Sequence, residues 1–69
     1  MKREPVTSSN IAEVGYDPNN RILEVQFNTG AAYQYFDVPP QVYDELMGAS
    51  SKGGYINSSI KGKYRYARV

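Results

Sequence analysis

Between Leu23 and Ile60 the hydrophobic period changes once, from two residues to a helical repeat. Leu23, Val25 and Phe27 alternate with Glu24 and Gln26, which predicts a half-buried strand over residues 21–27. Asn28-Thr29-Gly30 then reads as a three-residue hairpin loop, with Gly30 in the left-handed position of a type I turn with a bulge. That loop sets a register of Phe27 with Ala31, Val25 with Tyr33 and Leu23 with Tyr35. A slip of one residue would turn Gln34 onto the apolar side, which is unfavourable. Upstream, Ile11 to Tyr16 predicts a further strand, and Asp17-Pro18-Asn19-Asn20 a turn. Pro18 presets φ at the second turn position and Asn20 tolerates the left-handed region. A four-residue loop there is expected to align Val14 with Leu23 and Ala12 with Val25.

The Pro39-Pro40 step switches the period. Proline fits the first helical turn, where its missing N–H has no partner to lose, and Asp37 lies near the positive helix end. Val42, Leu46 and Ala49 make an apolar stripe, flanked by Tyr43 and Met47, and Gly48 is placed to end the helix. Ser50 or Ser51 is placed to cap a second helix, whose stripe is Ile56, Ile60 and Tyr64. Gly53, Gly54 and Gly62 weaken that helix by roughly 1 kcal/mol each relative to Ala, so packing must hold it. Residues 63–69 read as a short extended tail with Tyr64 and Tyr66 on one side. Residues 1–9 are expected to be a flexible N-terminus and 10–69 a single domain. The resulting class is α+β: a three-stranded antiparallel meander covered on one face by two short C-terminal helices.

Composition narrows the chemistry. The 69 residues include no Cys and no His. A core of this size supplies only about 3–5 kcal/mol of net stability, here without disulfide or Cys/His zinc site to add to it. No metal or cofactor is expected. Without imidazole, a Ser-His-Asp or Cys-His site cannot form within the chain, and the seven carboxylates are scattered. A non-enzymatic role is therefore expected. Met1 to Pro5 is polar with no apolar segment after it, and no run reaches transmembrane length, so a cytoplasmic protein without membrane contact is expected.

The net charge of +1 conceals an asymmetry. Residues 1–45 carry three cations and seven carboxylates, a net of −4; residues 46–69 carry five cations and no carboxylate, a net of +5. A basic half on a small domain points to a polyanion. Lys61, Lys63, Arg65 and Arg68 interleave with Tyr64 and Tyr66, a pattern that grips phosphates and stacks on bases; the competing reading is an ordinary basic terminus with satellite tyrosines. Lys52 sits in Ser50-Ser51-Lys52-Gly53-Gly54, where helix capping competes with phosphate binding. Tyr33 and Tyr35 are candidates for stacking only if exposed, because the register places both on the apolar face.

Taken in order, Ser8-Ser9-Asn10-Ile11, Val14-Gly15-Tyr16-Asp17, Leu23-x-Val25-x-Phe27, Tyr33-x-Tyr35, Val38-Pro39, Ala49-x-Ser51-x-Gly53, Tyr55-Ile56-Asn57 and Ile60-Lys61 resemble the KTSC domain. That family is a short domain at the C-terminus of some lysyl-tRNA synthetases, and it also occurs alone in small bacterial proteins. The resemblance spans about Val6 to Tyr66 and implies the stand-alone form. RNA binding is suggested for the family by its domain context. The expected function is thus a small non-enzymatic nucleic-acid-binding module for RNA, either tRNA or single-stranded. The alternative is a protein-interaction or self-pairing module, using edge strands or an exposed sheet face of Glu13, Ile22, Glu24, Gln26, Gln34 and Phe36, with Ile22 and Phe36 as apolar anchors.

Overall fold

The computed structural model describes all 69 residues. Five antiparallel strands lie in sequence order across one sheet: β1 (Arg3–Pro5), β2 (Ile11–Asp17), β3 (Ile22–Phe27), β4 (Ala32–Tyr35) and β5 (Tyr66–Arg68). Between β4 and β5 the chain forms helix α1 (Pro40–Gly48), helix α2 (Lys52–Tyr55) and a single π-helical turn, Ile56–Ile60. The α+β class and the two helices agree with the sequence, but the sheet has five strands rather than three. Residues 1–9, expected to be loose, include β1. The extended tail is β5, hydrogen-bonded to β4 as an edge strand.

The Asn28-Thr29-Gly30 loop produces the expected register in β3–β4, with Leu23 opposite Tyr35 and Val25 opposite Tyr33. Gly30 has φ +95°, the left-handed conformation that the turn requires. The first hairpin differs. Its loop is Pro18 to Arg21, so Tyr16 pairs with Leu23 and Val14 with Val25. Arg21, not Asn20, takes the left-handed conformation, at φ +56°. Asp17 holds the turn by accepting hydrogen bonds from the Asn19 and Asn20 amides. A β-bulge between Ile11 and Glu13 then absorbs one residue. Ile11 and Val14 are three residues apart, so strict alternation would put them on opposite faces; the bulge turns both into the core.

That core is a layer between the sheet and the helices. Ile11, Val14, Leu23, Val25, Tyr35, Val38, Leu46, Ile56 and Ile60 form it. Ile56 and Ile60 are fully buried, as the predicted stripe requires, but Tyr64, its third member, lies beyond the helical segment, whose last turn is π-helical and ends at Ile60: the Lys61 amide donates to the Ile56 carbonyl at 2.8 Å. Tyr16 stacks on Tyr43 of α1 with centroids 4.9 Å apart, and its hydroxyl donates to the Val38 carbonyl. Ser51 caps α2 by accepting from the Gly54 amide at 3.2 Å. Asp37 does not cap α1; it pairs with Arg65 instead.

The outer face of the sheet is polar and tied together. Gly15 stands between Arg3 and Glu24 in one cross-strand row. A Cβ at position 15 would lie 2.8 Å from the Lys2 carbonyl oxygen and 3.3 Å from Arg3 Cγ. Glycine therefore lets β1 approach and lets Arg3 reach across it. Arg3 Nε donates to Glu24 Oε2, Arg3 Nη1 donates to Gln26, and Gln34 donates to Glu24 Oε1 at 2.8 Å. Glu24, expected on an exposed face, is only 7% exposed. Burial pushes its carboxyl upward, but the Gln34 hydrogen bond and the Arg3 guanidinium outweigh that and hold it below the ordinary carboxylate value. No helix is long and apolar enough to cross a membrane.

Candidate nucleic-acid interface

The helices cover only part of the inner sheet face. Toward the β4–β5 edge that face continues as half-exposed aromatic surface. Strand alternation decides which tail residues reach it. Tyr66 pairs with Tyr35 and Arg68 with Tyr33, so Tyr66 and Arg68 share the helix-bearing face. Tyr66 is 63% exposed. Its ring lies 5.9 Å from that of Tyr33, which in turn meets Phe27 edge-on at 6.0 Å. These three rings make a continuous strip along the open end of the core.

Lys61 stands at the end of the π-helical turn and leans over the strip. Its Nζ lies 5.4 Å from the Phe27 centroid, within cation–π range. A hollow of about 410 Å³ lies between Lys61, Gly62 and the rings of Tyr33, Tyr35 and Tyr66. A second, of about 320 Å³, shares Tyr33 and Lys61 with it and continues toward Asn10, Thr29 and Asn57. The two adjoin at Tyr33 and Lys61 along the seam between sheet and helices and are together called the groove. Lys61, Lys63 and Arg68 make no ion pair, which leaves their charge available to a ligand.

The sequence candidates thus separate by place. Lys61, Tyr66 and Arg68 come together with Tyr33. Lys63 is exposed and lines neither hollow; it borders a shallower one with Phe36, Tyr64, Arg65 and Tyr66, which adjoins at Gly62 and Tyr66. Tyr64 is half-buried and packs against the core. Arg65 belongs to the outer side: it pairs with Asp37 at 2.9 Å and lies 5.7 Å over the Phe36 ring. Lys52 does not line the groove, although its neighbour Gly53 does; its ammonium donates to the Ala49 carbonyl at 3.3 Å. Tyr35 is a core residue, 3% exposed, and burial raises its hydroxyl pKa. It floors the groove and has no free face for a base, whereas Tyr33 is only half-buried.

Sequence reasoning did not single out Phe27, Asn10, Thr29 or Asn57 for this site. Phe27 sits at the end of an apolar alternation and read as core. Asn10 and Asn57 are far apart in the chain, and no local pattern joins them.

The comparisons fit this architecture. The KTSC domain family model matches residues 7–64. The chain belongs to the KTSC domain family. A KTSC domain protein from Yersinia pestis, known from a crystal structure, superimposes with a TM-score of 0.96 at 44% identity, covering 99% of this chain and 96% of that one. An uncharacterised protein of Stutzerimonas stutzeri is 46% identical and covers 100% of this chain and 99% of its own. A lysine–tRNA ligase of Nostoc punctiforme is 38% identical over 59 residues, which is 86% of this chain and 10% of the ligase. The KTSC fold therefore occurs both as a protein of this length and as a small part of a much larger one.

Proposed function

We propose that this KTSC domain is a non-enzymatic module that binds single-stranded nucleic acid, RNA first, along the seam groove. The observation that carries the reading is the meeting of unpaired cations with the exposed Tyr66 ring and the half-buried Tyr33 ring on one surface. Lys61 in the groove and Arg68, opposite Tyr33 on the same sheet face, supply phosphate contacts, with Lys63 in the neighbouring hollow past Gly62, and Tyr33 and Tyr66 supply ring surface for unpaired bases. A duplex hides the faces of its bases, so the rings favour single strands. The likeness to a segment of lysine–tRNA ligase supports RNA over DNA, and a cytoplasmic setting suits such a ligand. No carboxylate lines the groove, which supports binding rather than hydrolysis.

The test is fluorescence anisotropy with tRNA, a single-stranded RNA and duplex DNA over a salt series. Wild type is expected to bind the single strand best, with affinity falling steeply as salt rises. Replacing Lys61, Lys63 and Arg68 by Gln together should flatten the log–log salt slope by about 2, at about 0.7 per lost phosphate contact on a single strand. Arg65→Gln should change it far less, because Arg65 lies on the outer side of the sheet, beside Asp37 and Phe36. Absence of binding at low salt would sink the reading.

A second reading, a protein-interaction or self-pairing module, rests on β5. All three of its residues are exposed, and its outer edge is unpaired. The outer sheet face supports it less, since Glu24, Gln26 and Gln34 are occupied by Arg3 and by one another. A mass that rises with concentration in light scattering would favour self-pairing through the edge.

A further inference from the structure

The two edges of the sheet are not alike. At β1 the Val6 amide donates to the Ala12 carbonyl, so Glu4 and Val6 turn their backbone groups toward β2 and Pro5 turns its own outward. Proline has no N–H to offer there, which blunts that edge. At β5 the Phe36 amide donates to the Arg65 carbonyl and the Val69 amide donates to the Ala32 carbonyl. Arg65, Ala67 and Val69 therefore face β4, and Tyr66 and Arg68 turn both N–H and C=O outward from the last strand of the sheet. The exposed large hydrophobic side chains of the protein are Met1, Tyr66 and Val69, so two of the three lie at this edge. Arg68 makes no ion pair and lines none of the three hollows.

We propose that two copies of this chain pair antiparallel through β5, about a two-fold axis at Ala67. The proposal rests on the self-pairing reading above and gives it an edge and a register. Outward groups two residues apart are self-complementary: Tyr66 meets the partner's Arg68, and Arg68 meets the partner's Tyr66, each pair exchanging both N–H···O=C bonds. Side chains of such a pair share a face, so each Tyr66 ring lies beside the partner's Arg68 guanidinium in a cation–π contact. On the other face the aliphatic stem of the partner's Arg65 covers Val69. Ala67 stands on the axis, where only two methyl groups meet. An unrelated strand would satisfy the backbone groups; the second copy also places a cation beside each ring and covers the exposed valine. The axis is perpendicular to the sheet, so both grooves open on the same side of one shared sheet. The basic tails repel each other and salt screens that repulsion, so pairing strengthens as salt rises, the reverse of phosphate binding.

Sedimentation equilibrium over a concentration series, at low and at high salt, measures the association. The wild-type mass is expected to rise toward that of a dimer, and at lower protein concentration in high salt. Arg68→Ala removes the cation and keeps the outward N–H; Arg68→Pro removes both. That N–H has no partner within one copy, and Ala67 before it is already extended, so both variants keep the fold, which circular dichroism checks. Arg68→Pro should pair about tenfold more weakly than Arg68→Ala, because one hydrogen bond is lost on each side of the axis. Ala67→Cys reads the register, in a chain with no other cysteine. Residues on the axis form a non-hydrogen-bonded pair with Cα atoms about 4.5 Å apart, within disulfide reach. In a glutathione redox buffer that variant should become a disulfide-linked dimer much faster than Ser50→Cys, an exposed position between α1 and α2. Equal pairing by the two Arg68 variants, or equal rates for the two cysteine variants, overturns the proposal and leaves self-pairing to another surface. A wild-type mass that stays monomeric throughout, in high salt as in low, removes it together with the self-pairing reading.

Discussion

Leu46→Ala is expected to leave the domain largely unfolded at 25 °C. Leu46 is 0% exposed and is the one buried residue of α1, flanked by the half-buried Val42, Tyr43 and Met47. Truncating a buried leucine costs about 2–5 kcal/mol, partly in lost transfer energy and partly in the cavity left behind. A 69-residue domain without disulfide or metal has roughly 3–5 kcal/mol in total. The two ranges overlap, so one truncation removes most of the stability. The effect extends beyond α1, because that helix covers the sheet next to Tyr16 and Val38. Urea titration followed by circular dichroism is the measurement. The midpoint should fall near zero denaturant for Leu46→Ala, while Leu46→Met, which keeps the volume, should cost less than about 1.5 kcal/mol. A normal midpoint for the alanine variant would mean that α1 is not needed to close the core.

The second large effect is expected from Arg3→Ala, on the opposite face. Arg3 is the main partner of the Glu24 carboxylate, which is buried between β1 and Gln34. Removing Arg3 leaves that charge with one neutral hydrogen bond. The cost is about 1–3 kcal/mol for an under-satisfied buried group, together with loosening of β1. The double variant Arg3→Ala/Glu24→Gln should recover much of it, since no charge is then stranded. A double variant no more stable than the single one would mean that Arg3 acts through packing alone. The same pair sets an acid limit. The folded Glu24 value lies below the unfolded one, so its contribution is complete above about pH 4.3 and is lost as pH falls through the folded value. Wild type should therefore lose more stability than Glu24→Gln between pH 5 and pH 3.

How far the sequence foretold this molecule depends on length and periodicity. The β3–β4 register was legible because Asn-Thr-Gly fixes a turn and both strands alternate cleanly. The helix starts were legible from proline and serine and the end of α1 from Gly48, but the apolar stripe extends the second helix to Tyr64, whereas it stops at Ile60. β1 was not legible, and of β5 only the extended conformation was and not its pairing, since three-residue segments are too short to carry a period. Strands of that kind exist only because a neighbour offers unpaired backbone, and in β1 because Gly15 leaves room. The first hairpin was misread by its loop, because Arg21 occupies a conformation that the pattern assigned to Asn20. At the groove, the alternation of cations and tyrosines was visible in the tail. Its division between two faces was not, because it follows from a strand pairing made only after the helices intervene. Tyr33 and Tyr35 look alike in sequence; in the fold Tyr35 is buried as floor and Tyr33 only half-buried as wall.

The order of strands also has a kinetic side. The first four strands are joined by short connections, so each pairing closes a small loop and the meander can assemble quickly. β5 is different, since both helices lie between it and β4. Its three residues are all exposed and only Tyr66 packs a ring against the sheet, so it returns little free energy for the larger closure entropy. It is thus placed to join last and to detach first, with Ile56 and Ile60 still in the core. Amide hydrogen exchange would show this as fast exchange at Ala67 against slow exchange in β3. The groove would then have one wall that comes and goes, and a long strand could enter sideways as β5 opens rather than thread through from an end.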